Sequence, residues 1–454
     1  MEYLNIIFLN SLSCLIIILN GLAYRKLLNF NKIADNLLEA GLYGIISISL
    51  ITFITNFFFK ISNVASLVIL IVPILFVISQ IKSKKKELVL ISIFLGLLSS
   101  LIIYLENTNR PDAGLYHLPF ISIINDFKII IGSANLEFRY GHTSILQYLS
   151  ASYNNLIFSE KGILLPHANI FSFVVIYLIN LIRVNSGFLK IFFFVFLFNI
   201  LYSMNRYSGF GNDDPAHMFY FLSLCNFIYF YFNRDDDKIK NVIYFSLYAF
   251  LIKPFLILVF IFPLILLLEK RTKVFTVTNI FCLTIVLLWF LKNILISSCA
   301  LYPVSITCIK NVEWSTYNSK VSNPERASRK SEAWAKDWPN SETSLIDSDY
   351  IKNFQWVNTW KKNHFKVVIK EIIPQLILVL LLILLIPRKI VEEISKKLRL
   401  KILMIGLISF TLWFIKFPIY RYGHAYIITL INSLLLFPIL DNLNFLKFKK
   451  KKYY

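Results

Sequence analysis

Three short stretches of this chain concentrate residues able to do chemistry. "RPDAGLYHLP" (110–119) places Asp112, Tyr116 and His117 within six positions. "SANLEFRYGHTS" (133–144) crowds Glu137, Arg139 and His142 into another six. "GNDDPAH" (211–217) sets Asp213 and Asp214 against Pro215, with His217 close behind. A carboxylate is a general base for an attacking hydroxyl, and an imidazole changes charge near neutral pH. Adjacent carboxylates also suit a hard divalent cation such as magnesium or manganese, for which Asp112 and Asp214 are the candidate ligands. Cations complete the set: Lys253 inside an apolar run, and Arg421 with His424 in "FPIYRYGH" (417–424). Plainer roles compete for the same residues. Asp112 is placed to cap a helix starting at Ala113, and Asp214 to cap one with Pro215 at its first position. Lys253 can snorkel at a turn, and Arg421 and His424 can belong to an interfacial belt.

The elements that must position these groups are apolar. Of 454 residues, 57% are hydrophobic and 16% charged, and mean hydropathy is +0.64, too little charge to clothe a soluble surface. Apolar runs cover roughly 4–23, 40–59, 62–81, 88–105, 163–182, 189–204, 217–233, 241–252, 255–268, 274–294, 372–387, 400–416 and 422–440. Such runs predict an all-α polytopic membrane protein, a single integral membrane domain of about 13 transmembrane helices. The net charge of +21 does not point to nucleic acid, because lysines and arginines gather near the ends of the apolar runs and serve orientation.

Charge also sets sidedness. "KSKKKE" (82–87), "EKRTK" (269–273), "RKIVEEISKKLRLK" (388–401) and the tail "KFKKKKYY" read as cytoplasmic. A single helix over 241–268 would be about 42 Å long against a hydrocarbon core of about 30 Å. Proline at 254 interrupts it, so two short helices are expected to meet at Lys253–Pro254, near the outer face. The N-terminus then lies outside, the C-terminus inside, and two large outer segments cover 106–162, with an interfacial helix, and 295–371. The start of the chain lacks a basic n-region and a small-residue cleavage site, so it is expected to remain as a helix. All six histidines, His117, His142, His167, His217, His364 and His424, fall on or beside outer segments. Cys299 and Cys308 share the long outer loop, where an oxidising compartment would allow a disulfide. That loop also carries Trp314, Trp334, Trp338, Trp356 and Trp360, suited either to stacking on sugars or to packing.

An acid in the first outer loop, set on an interfacial helix, resembles the C-type glycosyltransferase (GT-C) fold of integral-membrane enzymes that use polyprenyl-linked sugar donors. "DAGLYHLP", "ANLEFRYGHTS", "GNDDPAH", "SSCALYPVSITC" with Trp314, and "FPIYRYG" look like a bacterial family of polytopic proteins tied to surface-polysaccharide genes, over most of the chain from about residue 106. The resemblance implies a transferase in the bacterial inner membrane, moving a sugar from a polyprenyl-phosphate-linked donor to a glycan or lipid acceptor on the periplasmic side. It implies catalytic roles for Asp112, Asp213 and Asp214, and a phosphate or substrate contact for Arg421. His117, Glu137, Arg139, His142, His217, Lys253 and His424 are the candidate substrate-binding residues. The chain departs from the paired acids common in GT-C first loops, since Ala113 follows Asp112. Two alternatives stand beside this one. A polysaccharide polymerase or ligase would lean on outer-loop arginines, but Arg326 and Arg329 read as solvated charge. A lipid-linked glycan transporter would need broken helices in matching pairs, and one break is visible.

Overall fold

A computed structural model describes residues 2–30, 36–77, 84–105, 112–203, 211–337, 348–385 and 396–436. The basic stretches 388–395 and 447–454, and Trp338, lie outside the described residues. The helices are α1 (Glu2–Leu27), α2 (Leu37–Asn56), α3 (Asn63–Leu75), α4 (Lys85–Leu105), α5 (Leu118–Asp126), α6 (Ile145–Ala151), α7 (Leu165–Val184), α8 (Gly187–Tyr202), α9 (Asp213–Asn233), α10 (Asp236–Ile252), α11 (Ile261–Leu268), α12 (Val277–Ser297), α13 (Pro324–Ala335), α14 (Ser348–Lys352), α15 (Val357–Asn363), α16 (Phe365–Leu385), α17 (Lys396–Lys416) and α18 (Tyr420–Ser433). Within the described residues each apolar run of the sequence overlaps one of them. Among the described residues seven helices are long and apolar enough to cross a membrane: Tyr3–Leu27, Leu37–Asn56, Lys85–Leu105, Glu160–Val184, Val277–Ser297, Phe365–Leu384 and Lys396–Lys416. Asn63–Leu75, Gly187–Tyr202 and Pro254–Leu268 are shorter apolar helices. The chain is therefore an all-α, multi-pass membrane protein.

Local chemistry sets the helix ends. Asn36 caps α2 by accepting the Glu39 backbone N–H at 3.0 Å, Ser62 caps α3 through Ala65, and Thr276 caps α12 through Asn279. α10 stops at Ile252 because Pro254 cannot continue the ladder, and a 3-10 segment, Pro254–Phe260, leads into α11. The break expected at Lys253–Pro254 is there.

Two compact units form. The first holds the described residues of Met1–Asn180 and Ile200–Ser331; the second holds those of Leu181–Asn199, Glu332–Ser341 and Asp347–Tyr454. In the first unit α1 and α2 cross so closely that a methyl at Gly21 would run into the Ala40 carbonyl, and one at Gly44 into that of Ile17. Small residues at such a crossing let apolar backbones gain dispersion contact where lipid offers no hydrophobic drive. Hydrogen bonds between helices add to it: Asn10 to Ser100 (2.9 Å), Asn169 to Ser13 (2.6 Å), Asn20 to the Leu70 carbonyl (2.9 Å). One acidic residue is buried there with two cations. Glu39, on α2, takes Arg25 of α1 at 3.4 Å on one oxygen and Lys238 of α10 at 2.5 Å on the other. The Tyr177 hydroxyl of α7 lies 3.2 Å from the second oxygen.

The second unit is built around aromatic rings. Trp356 and Trp360 pack on Phe414 of α17, each with ring centroids 5.4 Å apart, and the Trp360 indole N–H donates to the Pro418 carbonyl. Trp356 and Trp360 are thus packing residues; Trp334 stays nearly half exposed.

Candidate active site

In the first unit the residues of the three polar stretches converge. Ala113–His117 is a single turn of π-helix leading into α5, a geometry that sequence periodicity does not reveal and that recurs at functional sites. α5 buries Phe120, Ile121 and Ile124, while Leu115, Leu118 and Phe127 stay exposed, as an interfacial element requires. Asp112 precedes the π turn but makes no side-chain capping bond, contrary to the capping role its position suggested. The reason is geometric: its backbone is already helical (φ −60°, ψ −29°), whereas a capping residue is normally extended.

Asp213 and Asp214 also stand elsewhere than expected. α9 begins at Asp213, one turn position before the expected cap at Asp214, so both carboxylates sit inside its first turn. There they face the positive end of the helix dipole. Asp213 is ion-paired with Lys253, the residue at the α10 break, and Asp214 and His217 are buried beside it in the same helix. The cation expected to need a partner in the apolar run therefore has one.

His117 joins these elements. It is 3% exposed, its Nδ1 lies 3.2 Å from Nε2 of Gln147 on α6, and its ring packs on Tyr116 with centroids 4.1 Å apart. Burial holds its pKa down, at about 4, against the opposing pull of the Asp112 and Asp213 carboxylates. His167 of α7 is buried close enough to His117 to interact with it electrostatically. His142 ends the 3-10 segment Phe138–His142, edge-on to Tyr302 at 5.3 Å. It is solvent-exposed, with Arg139 and Lys253 as neighbouring cations. Arg139 pairs with Glu137 at 3.1 Å in a half-exposed bridge and lies 4.6 Å from the Phe138 ring centroid.

The loop after α12 supports this segment. Cys299 and Cys308 are joined in a disulfide. Cys299 and Tyr302 pack with Ala327, Phe138 and Cys308, which sets Tyr302 against His142. The Ser322 hydroxyl donates to the Ala134 carbonyl at 2.5 Å, Asn135 donates to the Trp314 carbonyl at 3.0 Å, and the Trp314 indole donates to Ile294 at 2.9 Å. Trp314 is thus spent on packing, and Arg326 is exposed and bonded to the Lys320 carbonyl.

Lys292 was not singled out by its sequence, although "LLWFLKNIL" places a cation in an apolar run as clearly as Lys253 does. Fully buried on α12, it donates to Thr143 Oγ1 at 2.5 Å and lies 3.6 Å from the Trp289 ring centroid. Among the described residues no carboxylate pairs with it. An amine buried without a counter-charge is costly to keep charged, so an apolar side chain of similar volume should be tolerated in its place. Lys292→Met is expected to stabilise the protein by about 1–3 kcal/mol; thermal unfolding in detergent checks this.

Arg421 and His424 belong to the second unit, on α18. The Arg421 guanidinium lies 5.2 Å from the Trp334 ring centroid and 5.1 Å from that of Tyr422, and His424 is buried against Tyr420. Among the described residues no group of three or more His, Cys, Asp or Glu side chains is placed to hold a metal ion.

The depressed His117 makes stability depend on pH. It is neutral when folded and has an ordinary value of 6.5 when unfolded, so the unfolded chain takes up more protons between pH 6.5 and about 4. Stability is full above pH 6.5 and is lost as the pH falls through that window. Melting midpoints in detergent at pH 7.5 and 5 should show the drop, and His117→Gln should make it shallower.

No curated protein and no solved structure matches this chain. A family profile does, over residues 4–428, nearly the whole length. The chain belongs to that family, a domain of unknown function designated DUF8201.

Proposed function

We propose that this protein is an integral-membrane glycosyltransferase of the bacterial inner membrane. It moves a sugar from a polyprenyl-phosphate-linked donor to a glycan or lipid acceptor on the periplasmic face, with its N-terminus outside and its C-terminus in the cytoplasm. The observation that carries this reading is the gathering of Asp112, His117, Asp213, Lys253 and His142 from four separate chain segments. The GT-C resemblance of the motifs supports it, and the Cys299–Cys308 disulfide fits an oxidising compartment for the loop packed against Phe138 and His142.

The step follows from the residues. The acceptor hydroxyl oxygen attacks the anomeric carbon of the donor, and its proton passes to the Asp112 carboxylate. The bond between the anomeric carbon and the phosphate oxygen breaks, and polyprenyl phosphate leaves with the electron pair. Negative charge grows on that oxygen, and Lys253 and Arg139, both neighbours of His142, are cations of this unit that can offset it. The lipid tail of the donor remains in the bilayer throughout, so the donor reaches the site laterally.

The test is transfer from radiolabelled polyprenyl-phosphate sugars by protein reconstituted in liposomes, paired with labelling of a cysteine at position 112 by a membrane-impermeant reagent. Transfer together with labelling from the outer side supports the reading. Labelling only from the cytoplasmic side removes its topology, and with it the acceptor compartment.

A further inference from the structure

Gln147 links a helix cap to a histidine. It is the third residue of α6, and its Oε1 accepts the backbone N–H of Ser144 at 2.8 Å, half of a capping box whose other half is Ser144 Oγ accepting from Leu146. That contact fixes which way the amide points, because a backbone N–H can be met only by the oxygen end. The nitrogen end therefore faces His117 Nδ1, at 3.2 Å. An amide NH2 group only donates, so Nδ1 must accept, and the single ring proton of the neutral imidazole sits on Nε2. The side chains are buried, with His117 and Gln147 each 3% exposed, so water does not readily substitute for either partner.

We infer that His117 acts as a fixed hydrogen-bond donor through Nε2–H, and that Gln147 is the positioning residue that sets this polarity. Protonating Nδ1 would set two donors against each other, a penalty that adds to burial and opposes the pull of Asp112 and Asp213. The titratable groups around the ring are those two carboxylates and His167. Among the described residues Nε2 has no hydrogen-bond partner of its own, which leaves its proton for an electron-rich oxygen of a ligand. The tautomer stands on geometry alone; donation to a substrate oxygen rests on the transferase reading. The division of labour is then definite. His117 orients and polarises, and the proton of the acceptor goes to a carboxylate, since an imidazole whose basic nitrogen is already occupied by Gln147 is a poor base.

The tautomer is read directly by nitrogen NMR of protein labelled with 15N-histidine and reconstituted in lipid, the His117 signals being those lost in His117→Gln. At pH 7 the expected spectrum has an unprotonated Nδ1 and a protonated Nε2. Gln147→Glu keeps an acceptor for the Ser144 N–H, so the cap survives, but turns an acceptor toward Nδ1. In that variant Nδ1 should become protonated, and transfer should fall by about 10²-fold. A wild-type His117 carrying its proton on Nδ1, or on both nitrogens at pH 7, overturns the inference, as does an unchanged spectrum in Gln147→Glu. If Gln147→Glu does not fold, the wild-type spectrum decides alone. The expected spectra without transfer from any lipid-linked sugar would retain the tautomer and discard the transferase.

Discussion

Replacing Asp112 with asparagine is expected to reduce sugar transfer by about 10²–10⁴-fold, the span of general-base contributions, with the fold intact. The side chain has little structural work to lose: it makes no capping bond, and its backbone is already helical. Asparagine has the same shape and cannot take a proton. The loss should therefore fall on kcat with KM nearly unchanged, because the carboxylate acts in the transition state more than in ground-state binding. Asp213→Asn offers the contrast. That carboxylate already holds the Lys253 ammonium, so its removal releases a part-buried cation and should disturb stability as well as rate. Initial rates and melting midpoints on both variants separate the two. An Asp112→Asn protein that transfers within about threefold of wild type, far inside the span expected of a lost base, would remove Asp112 as the base and pass the role to the α9 acids.

The largest effect on stability is expected at the buried charge cluster. Glu39→Gln should destabilise the protein by about 3–5 kcal/mol, enough to abolish accumulation of folded material. The cause is an imbalance: one carboxylate faces both Arg25 and Lys238, so removing it strips two buried cations of the counter-charge they share in a low-dielectric interior. Neighbouring amides cannot stand in, because Asn226 and Asn241 are occupied with each other at 3.0 Å and Tyr43 donates to Asn241 at 2.8 Å. Removing all three charges together (Arg25→Met, Glu39→Met, Lys238→Met) should recover most of the loss, since a well-packed apolar set of similar volume does about as well as a buried ion pair. Detergent melting curves on the single and triple variants check both halves. A single variant as stable as wild type would mean that water reaches the cluster.

Much of the helical frame was legible because apolar runs bounded by lysines are local signals. The break at Lys253–Pro254 was legible for the same reason: proline and its neighbour carry the cause with them. The Cys299–Cys308 bridge spans nine positions and needs no knowledge of the rest of the fold. The polar stretches were readable as a set, since Asp112, His117, His142, Asp213 and Lys253 do gather. Their individual roles were not, because a cap and a functional acid use the same residue types. Asp112 and Asp214 each looked like a cap, and each proved not to be one. The π turn was hidden because five residues carry too little periodicity to tell 3.6 residues per turn from a wider one. Lys292 was as legible as Lys253, a lysine in an apolar run; what the sequence hides is its partner, Thr143, 149 positions away. Glu39 and Lys238 are separated by 199, a distance over which no sequence pattern links two residues.

That separation also sets an order of events during synthesis. α1 and α2 emerge before α10 and can close at their glycines with Arg25 already opposite Glu39, so this hairpin enters the membrane with that pair of charges matched. Lys238 follows 199 residues after Glu39, which at 5–20 residues per second is a delay of about 10–40 s. Through that interval the second oxygen of Glu39 must stay reachable from the side where α10 will arrive. The first hairpin is thus a receptor for a later one, and a chain released before residue 238 carries an acceptor whose ligand has not yet been made.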